Sequence, residues 1–142
     1  MSTWSFQHAL VSPAPADQVW AVLSDVETWS AWDPDVVRSR LDGPLVQGVT
    51  GTLRPVSGPT VRFTVTRLEP GRRLSDVTRL PLARLEFDHA IEPAGSGTRL
   101  THTVTITGPA TPVFARVIGR KVRAGLPGAM AALARLAASA RA

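Results

Sequence analysis

The chain has 142 residues, 44% of them hydrophobic, which is enough to bury the core of one domain and excludes disorder along its whole length. It contains no cysteine, so disulfides, thiolate metal sites and a cysteine nucleophile are excluded. The net charge is +5, but the basic residues are scattered without aromatic residues between them, and we expect no nucleic-acid partner. With no visible signal peptide or long apolar run, residues 1–142 are expected to form a single domain in a bacterial cytoplasm, without stable membrane insertion.

Strand patterns dominate the first two-thirds of the chain. Polar and apolar residues alternate over Trp4–Val11, which predicts a β-strand. Pro15 fits the first turn of a short helix, and a second short helix is predicted over Thr28–Trp32. Six further strands follow, separated by turns rich in glycine and proline, which indicates antiparallel neighbours. They are predicted at Val36–Leu41, Thr50–Val56, Val61–Leu68, Arg73–Leu80, Leu82–Glu92 and Thr98–Thr107.

The last segment, Thr111–Ala142, is predicted to form one long amphipathic helix, because its apolar residues recur at steps of three and four. Its apolar face comprises Phe114, Val117, Ile118, Val122, Leu126, Met130, Leu133, Leu136 and Ala137. Pro127, in the segment Gly125–Gly128, is expected to kink the helix. A separate basic ridge comprises Arg116, Arg120 and Arg123. A long helix that closes an antiparallel sheet can leave a cavity between the two layers.

Two histidines alternate with apolar residues on neighbouring strands, so His89 and His102 are expected to face the interior. If the hairpin pairs Ile91 with Leu100, His89 lies opposite His102. Burial and mutual repulsion would keep both rings neutral, a state in which histidine can exchange a proton near neutral pH. We favour core packing or a polar ligand contact over acid–base catalysis by this pair. Metal binding is not expected, because no inward carboxylate joins them and the spacing of metal ligands is absent.

Five motifs spread over nearly the whole chain carry a family resemblance: Ser12–Trp20, Trp29–Pro34, Glu69–Leu74, Glu92–Leu100 and Gly125–Met130. In order and spacing they resemble the START-like, helix-grip superfamily (SRPBCC), and within it the polyketide cyclase/dehydrase and lipid-transport group. The resemblance implies an α+β fold in which a curved seven-stranded antiparallel sheet wraps around a long C-terminal helix, with two short helices after the first strand. It also implies an apolar cavity and places the first strand beside the last, which brings His8 near His102. It implies no particular reaction, because members include lipid carriers, cyclases and hormone sensors.

The predicted cavity wall is made of aromatic and aliphatic side chains, with core packing as the alternative role for each. The expected ligand contacts are Trp29, Trp32, Phe63, Phe87, Phe114, Ile118, Val122, Leu126 and Met130. Trp32 is the strongest of them, because the resemblance places its segment at the rim of the cavity. Asp76 shares a face with Leu74, and we expect it in water at a strand end; the alternative is an interior carboxyl paired with Arg54 or Arg62.

Three functions are consistent with these features. The first is binding of a hydrophobic or aromatic small molecule (a polyketide, lipid or quinone) between sheet and helix, without cofactor or metal. The second is a polyketide cyclase or dehydratase in which His89 and His102 act as acid and base and Trp32 positions the substrate. The third is docking of the basic ridge on an acidic protein or on a membrane. Both a monomer and a homodimer are compatible with the sequence.

Overall fold

The computed structural model describes residues 2–139, and seven strands form one antiparallel sheet in the order β1-β7-β6-β5-β4-β3-β2. Each predicted strand is present, with its ends shifted by two residues or fewer. The strands are β1 (Thr3–Ser12), β2 (Val36–Leu41), β3 (Thr50–Pro55), β4 (Val61–Glu69), β5 (Arg73–Leu80), β6 (Ala83–Ala94) and β7 (Gly97–Thr107). The sheet order places β1 beside β7, as the resemblance implied.

Two short helical segments follow β1, and one long helical segment ends the described chain. Helix α1 spans Ala16–Ser24, and the second short helix, Val26–Ala31, is a 3-10 helix. The terminal helix has three parts: an α-helical turn, a π-helical segment and a long α-helix, at Thr111–Phe114, Ala115–Gly119 and Arg120–Ser139. The last three residues of the predicted helix lie outside the described residues. No helix within residues 2–139 is both long and apolar enough to cross a bilayer.

Buried side chains form two groups between the sheet and the helices. The larger group joins α1 to the sheet and to the second half of the terminal helix, through fully buried residues such as Leu23, Leu74 and Leu133. The smaller group, Leu85, Val104 and Ile106, packs beneath the first half of the terminal helix. The side chain of Leu126 packs against both groups. Helix and sheet therefore enclose one continuous apolar interior.

Two residues predicted to lie on the apolar face of the terminal helix are exposed, so the prediction is wrong for them. Val117 is 55% exposed and Leu136 is 38% exposed. Val117 lies inside the π-helical segment, whose wider turn changes the direction of its side chains relative to an α-helix. Leu136 lies at the flank of the face defined by Leu133 and Ala137, both of which are fully buried. The α-helix continues through Pro127 to Ser139, and the kink expected at this residue stays a prediction.

Gly119 is required by a close contact with β1. A Cβ atom at this position would lie 2.9 Å from the Trp4 ring, whereas one at Gly128, on the same helix, would have no neighbour within 4 Å. We expect Gly119→Ala to lower the free energy of unfolding by about 1–3 kcal/mol through overpacking. Gly128→Ala is the matched control and should raise it by roughly 0.5–1 kcal/mol, since alanine favours the helix. Urea unfolding of both variants measures this, and equal effects would contradict the contact.

Candidate functional site

One rung of the sheet carries all three histidines of the chain. His8 pairs with His102, His102 pairs with His89, and His89 pairs with Leu74 of β5. The ring centroids of His89 and His102 are 4.5 Å apart, with the ring planes at 85°. The register confirms the pairing expected from the sequence, including the position of His8. The roles assigned to these histidines stay predictions.

The structure defines the protonation of the two inner histidines. His89 Nδ1 lies 2.9 Å from the carbonyl oxygen of Leu74, and because a carbonyl only accepts, Nδ1 carries the proton and Nε2 is left as an acceptor. Burial lowers the pKa of His89. Burial, followed by the nearby His89 and His8, lowers the pKa of His102 well below its ordinary value of 6.5. Both rings are therefore neutral at pH 7.

Aromatic rings cover the two inner histidines. The ring centroid of Trp29 is 5.8 Å from that of His89, and the ring centroid of Trp32 is 6.3 Å from that of His102. Trp29 also contacts both Trp32 and Phe63, each at a centroid distance of 6.2 Å. All five rings are buried. The 3-10 segment and the residue after it thus place Trp29 and Trp32 over the two inner histidines, and Phe63 of β4 stacks on Trp29.

Asp76 lies inside the protein rather than in water, so the expectation for this residue is wrong. It is only 5% exposed, and neither Arg54 nor Arg62 forms an ion pair with it among the described residues. The alternation with Leu74 was the correct signal, because β5 is a central strand and its even-numbered residues face the helix. At this position the alternation of the strand predicts burial correctly, whereas the usual preference of aspartate for water does not.

The position of Asp76 places a carboxyl group next to the histidines. Asp76 pairs with Phe87, two residues from His89 on the same face of the sheet, which corresponds to a diagonal separation of about 7–8 Å between backbones. Burial, with a smaller contribution from Glu86, raises the pKa of Asp76 to about 8. The interior therefore holds a protonated carboxyl group that is a diagonal neighbour of the neutral imidazole of His89 at pH 7.

Three buried polar atoms in this region have no hydrogen-bond partner among residues 2–139: Trp32 Nε1, Asp76 Oδ2 and His102 Nε2. They come from three separate parts of the chain. Trp29 differs from Trp32 in this respect, because its Nε1 donates a hydrogen bond to the carbonyl oxygen of Leu23 at 2.8 Å. An unpartnered buried polar group costs roughly 1–3 kcal/mol, so three in one region demand an explanation.

The other predicted contacts lie on β6 and on the terminal helix. Five of them pack against the smaller buried group and are only half-buried: Phe87, Phe114, Ile118, Val122 and Leu126. Met130 is fully buried and packs in the larger group.

A concavity of about 690 Å³ opens at one end of the sheet, and of the predicted contacts only Phe63 lines it. Within residues 2–139, no group of three His, Asp or Glu side chains is placed to hold a metal ion.

The basic ridge is not a uniform charged surface. Arg116, Arg120 and Arg123 are all exposed, but the Arg123 guanidinium lies 5.7 Å from the ring centroid of Trp4 and 5.3 Å from that of Phe6. These distances fit cation–π contacts. Arg123 therefore packs on the aromatic edge of β1, which accounts for one of the three ridge residues without an external partner.

A curved antiparallel sheet closed by a long C-terminal helix, with an apolar interior between them, defines the helix-grip class of proteins. Residues 3–140 match the family model described as polyketide cyclase / dehydrase and lipid transport, and the chain belongs to this family. No curated protein sequence matches the chain significantly.

Solved structures share the fold at low sequence identity. The Zhui aromatase/cyclase from Streptomyces sp. R1128 has a TM-score of 0.76 and 22% identity, over 96% of this chain and 94% of that one. The protein Ara h 8.0201 has a TM-score of 0.71 and 14% identity, over 97% of this chain and 99% of that one. The di-domain aromatase/cyclase StfQ of the steffimycin pathway has a TM-score of 0.79 and 17% identity, over 96% of this chain and 51% of its own. The chain therefore spans about half the length of StfQ.

Proposed function

We propose that the protein binds a small, mainly hydrophobic or aromatic molecule that carries a hydrogen-bond acceptor such as a carbonyl oxygen, between the sheet and the terminal helix. The observation that carries this proposal is the group of unpartnered polar atoms, Trp32 Nε1, Asp76 Oδ2 and His102 Nε2. An indole N–H can only donate, and a protonated carboxyl group donates through its hydroxyl. Acceptor oxygens on a ligand would therefore partner the indole of Trp32 and the carboxyl group of Asp76.

The surroundings favour a ligand whose buried part is aromatic and uncharged. Five buried rings lie around the polar atoms, and the half-buried residues of the terminal helix add an aliphatic wall. Burying about 300 Å² of apolar ligand surface would contribute roughly 7 kcal/mol before the cost of association, which supports micromolar affinity. Among the predicted ligand classes, a polyketide or quinone presents carbonyl groups to the indole and the carboxyl, whereas a plain alkyl chain does not.

A matched pair of ligands tests the proposal. 2-Acetylnaphthalene and 2-ethylnaphthalene have similar shapes, and only the first carries a carbonyl oxygen. We expect the ketone to displace N-phenyl-1-naphthylamine roughly three- to tenfold more tightly than the hydrocarbon, the value of about one hydrogen bond. Trp32→Phe should abolish this difference, while Trp4→Phe, outside the five rings, should preserve it. Equal affinities in the unsubstituted protein would refute the role of the polar atoms, and would fit a site filled by water.

Acid–base catalysis is the second candidate, favoured by one specific observation. Asp76 is protonated and lies close to His89, whose free Nε2 accepts a proton, so an acid and a base share one apolar site at pH 7. Cyclisation or dehydration of a polyketone needs such a pair. Mass spectrometry of a β-hydroxyketone incubated with the protein separates the candidates: loss of one water molecule supports catalysis, and recovery of the unchanged ketone supports binding alone.

A further inference from the structure

The sheet splits at one end between β4 and β5. The pairing of these strands runs only from Thr64 opposite Val77 to Glu69 opposite Arg73. Beyond Thr64, residues 61–63 of β4 pair only with β3, and beyond Val77, residues 78–80 of β5 pair only with β6. The two strands therefore diverge and leave a wedge-shaped gap in a sheet that is otherwise continuous.

The concavity of about 690 Å³ lies at this gap, which we call the wedge. Its lining includes inward-facing residues, such as Val61, Phe63 and Leu80, together with residues of the outer face, such as Arg79 and Arg84. The wedge thus joins the outside of the sheet to its apolar side. Its volume falls within the roughly 300–1,000 Å³ of sites for small molecules.

The outer rim of the wedge concentrates positive charge. Arg79 and Arg84 lie directly opposite each other in the β5–β6 pair, an arrangement that disfavours the sheet when nothing compensates it. Both side chains are exposed, and neither has a carboxylate within 4.0 Å among residues 2–139. Arg62, the third arginine of the lining, already binds Asp42 at 2.7 Å. Two facing guanidinium groups suit one carboxylate or phosphate placed between them.

We propose that the wedge is an anion-binding portal, and that the natural ligand is an amphipathic acid. Its carboxylate or phosphate group binds Arg79 and Arg84 at the rim, while its hydrophobic body passes Val61 and Phe63 towards the interior. This inference rests on the proposed function, since it assigns the acidic end of the same ligand. It adds a site on the outer face of the sheet, away from the histidine rung.

Two fluorescent probes separate the acidic end from the apolar body. 1-Anilinonaphthalene-8-sulfonate carries the sulfonate group that N-phenyl-1-naphthylamine lacks on the same ring skeleton. We expect the double variant Arg79→Gln/Arg84→Gln to lose about tenfold in affinity for the sulfonate and to bind the neutral probe unchanged. The control Arg38→Gln/Arg54→Gln removes another facing pair from the same outer face, outside the lining of the wedge, and should bind both probes as before. Thermal unfolding verifies that both variants are folded.

Each other outcome has a defined meaning. Equal losses of sulfonate affinity in the two double variants would show a general charge effect and overturn the portal. A parallel loss of the neutral probe would also overturn it, because the arginines would then act on the apolar body. Failure of the unsubstituted protein to bind the neutral probe would refute the proposed function itself, and the portal with it. Displacement of the sulfonate by octanoate or by octyl phosphate identifies the preferred acid, and displacement no better than by octanol contradicts an anionic ligand.

Discussion

The Asp76→Asn variant should gain stability relative to the unsubstituted protein as the pH rises from 4 to 8. The pKa of Asp76 is about 8 in the folded protein, against 3.8 for an ordinary aspartate. Between these values the unfolded chain loses the proton and the folded protein keeps it, so the folded protein becomes less stable with rising pH. The loss is roughly 1.4 kcal/mol per pH unit and about 5 kcal/mol over the whole window.

Asparagine cannot ionise, so the Asp76→Asn variant does not lose free energy of unfolding in this way as the pH rises. Chemical denaturation at pH 4, 6 and 8 measures the free energy of unfolding of both proteins. The difference between them is the relevant quantity, because a buried amide has a cost of its own that does not depend on pH. Glu92→Gln removes an exposed carboxylate from β6 and should show no comparable trend. A constant difference between Asp76→Asn and the unsubstituted protein would contradict a carboxyl group kept neutral by burial.

Replacing His102 by leucine should stabilise the protein and weaken its binding of a polar ligand. The ring is 2% exposed and its Nε2 has no partner, so a leucine of similar volume removes an unsatisfied group worth about 1–3 kcal/mol. The pKa of His102 is lowered by burial, so below pH 6.5 the unfolded chain gains a proton that the folded protein refuses. The gain from His102→Leu should therefore grow as the pH falls from 7 to 5.

His8→Leu is the matched control for this change. His8 lies on the same rung, but its side chain is only half-buried and does not appear among the unpartnered atoms. We expect a smaller stability change and full retention of the preference for the ketone over the hydrocarbon. If His102→Leu unfolded more readily than the unsubstituted protein at pH 5, His102 would be a structural residue, and its unpartnered nitrogen would lose its functional meaning.

These two predictions share a physical reason. Asp76 lowers stability as the pH rises, and the inner histidines lower it as the pH falls, so the polar interior reduces stability on both sides of a narrow range. A purely structural core would lose little by replacing such groups with apolar ones. Natural proteins keep destabilising groups mainly where function needs them. We therefore propose that the ligand binds beside the rung of His89 and His102, next to Asp76 on the neighbouring rung.

The strands and the histidine rung follow from the sequence for a simple reason. Alternation of period two fixes which side chains face inward, and the tight turn between β6 and β7 fixes the register that places His89 opposite His102. The position of His8 needed the family resemblance, because the first and last strands are far apart in the chain. The local pattern predicts which face of a strand is buried and how the two strands of a hairpin pair. It does not predict which strand far away in the sequence becomes a neighbour in the sheet.

Other features depend on tertiary geometry that a local pattern does not encode. The inward position of Asp76 was visible in its alternation, but the general preference of carboxylates for water argued the other way. The π-helical segment that exposes Val117 faces the Trp4 ring at Gly119, a contact between the two ends of the chain. The wedge arises from the register shift between Val65 and Arg67 and from the early end of the β4–β5 pairing. None of these has a signature within one strand or helix.

The indole N–H signal of Trp32, followed by ¹H–¹⁵N NMR during titration with 2-acetylnaphthalene, tests the central claim most directly. The account predicts a downfield shift of this signal as the ketone oxygen accepts its hydrogen bond, with a smaller change at Trp29, which keeps its bond to Leu23. Titration with 2-ethylnaphthalene should not shift the Trp32 indole signal downfield. A Trp32 signal that stays in place, or that responds equally to both compounds, would contradict a ligand-binding role for the unpartnered polar atoms.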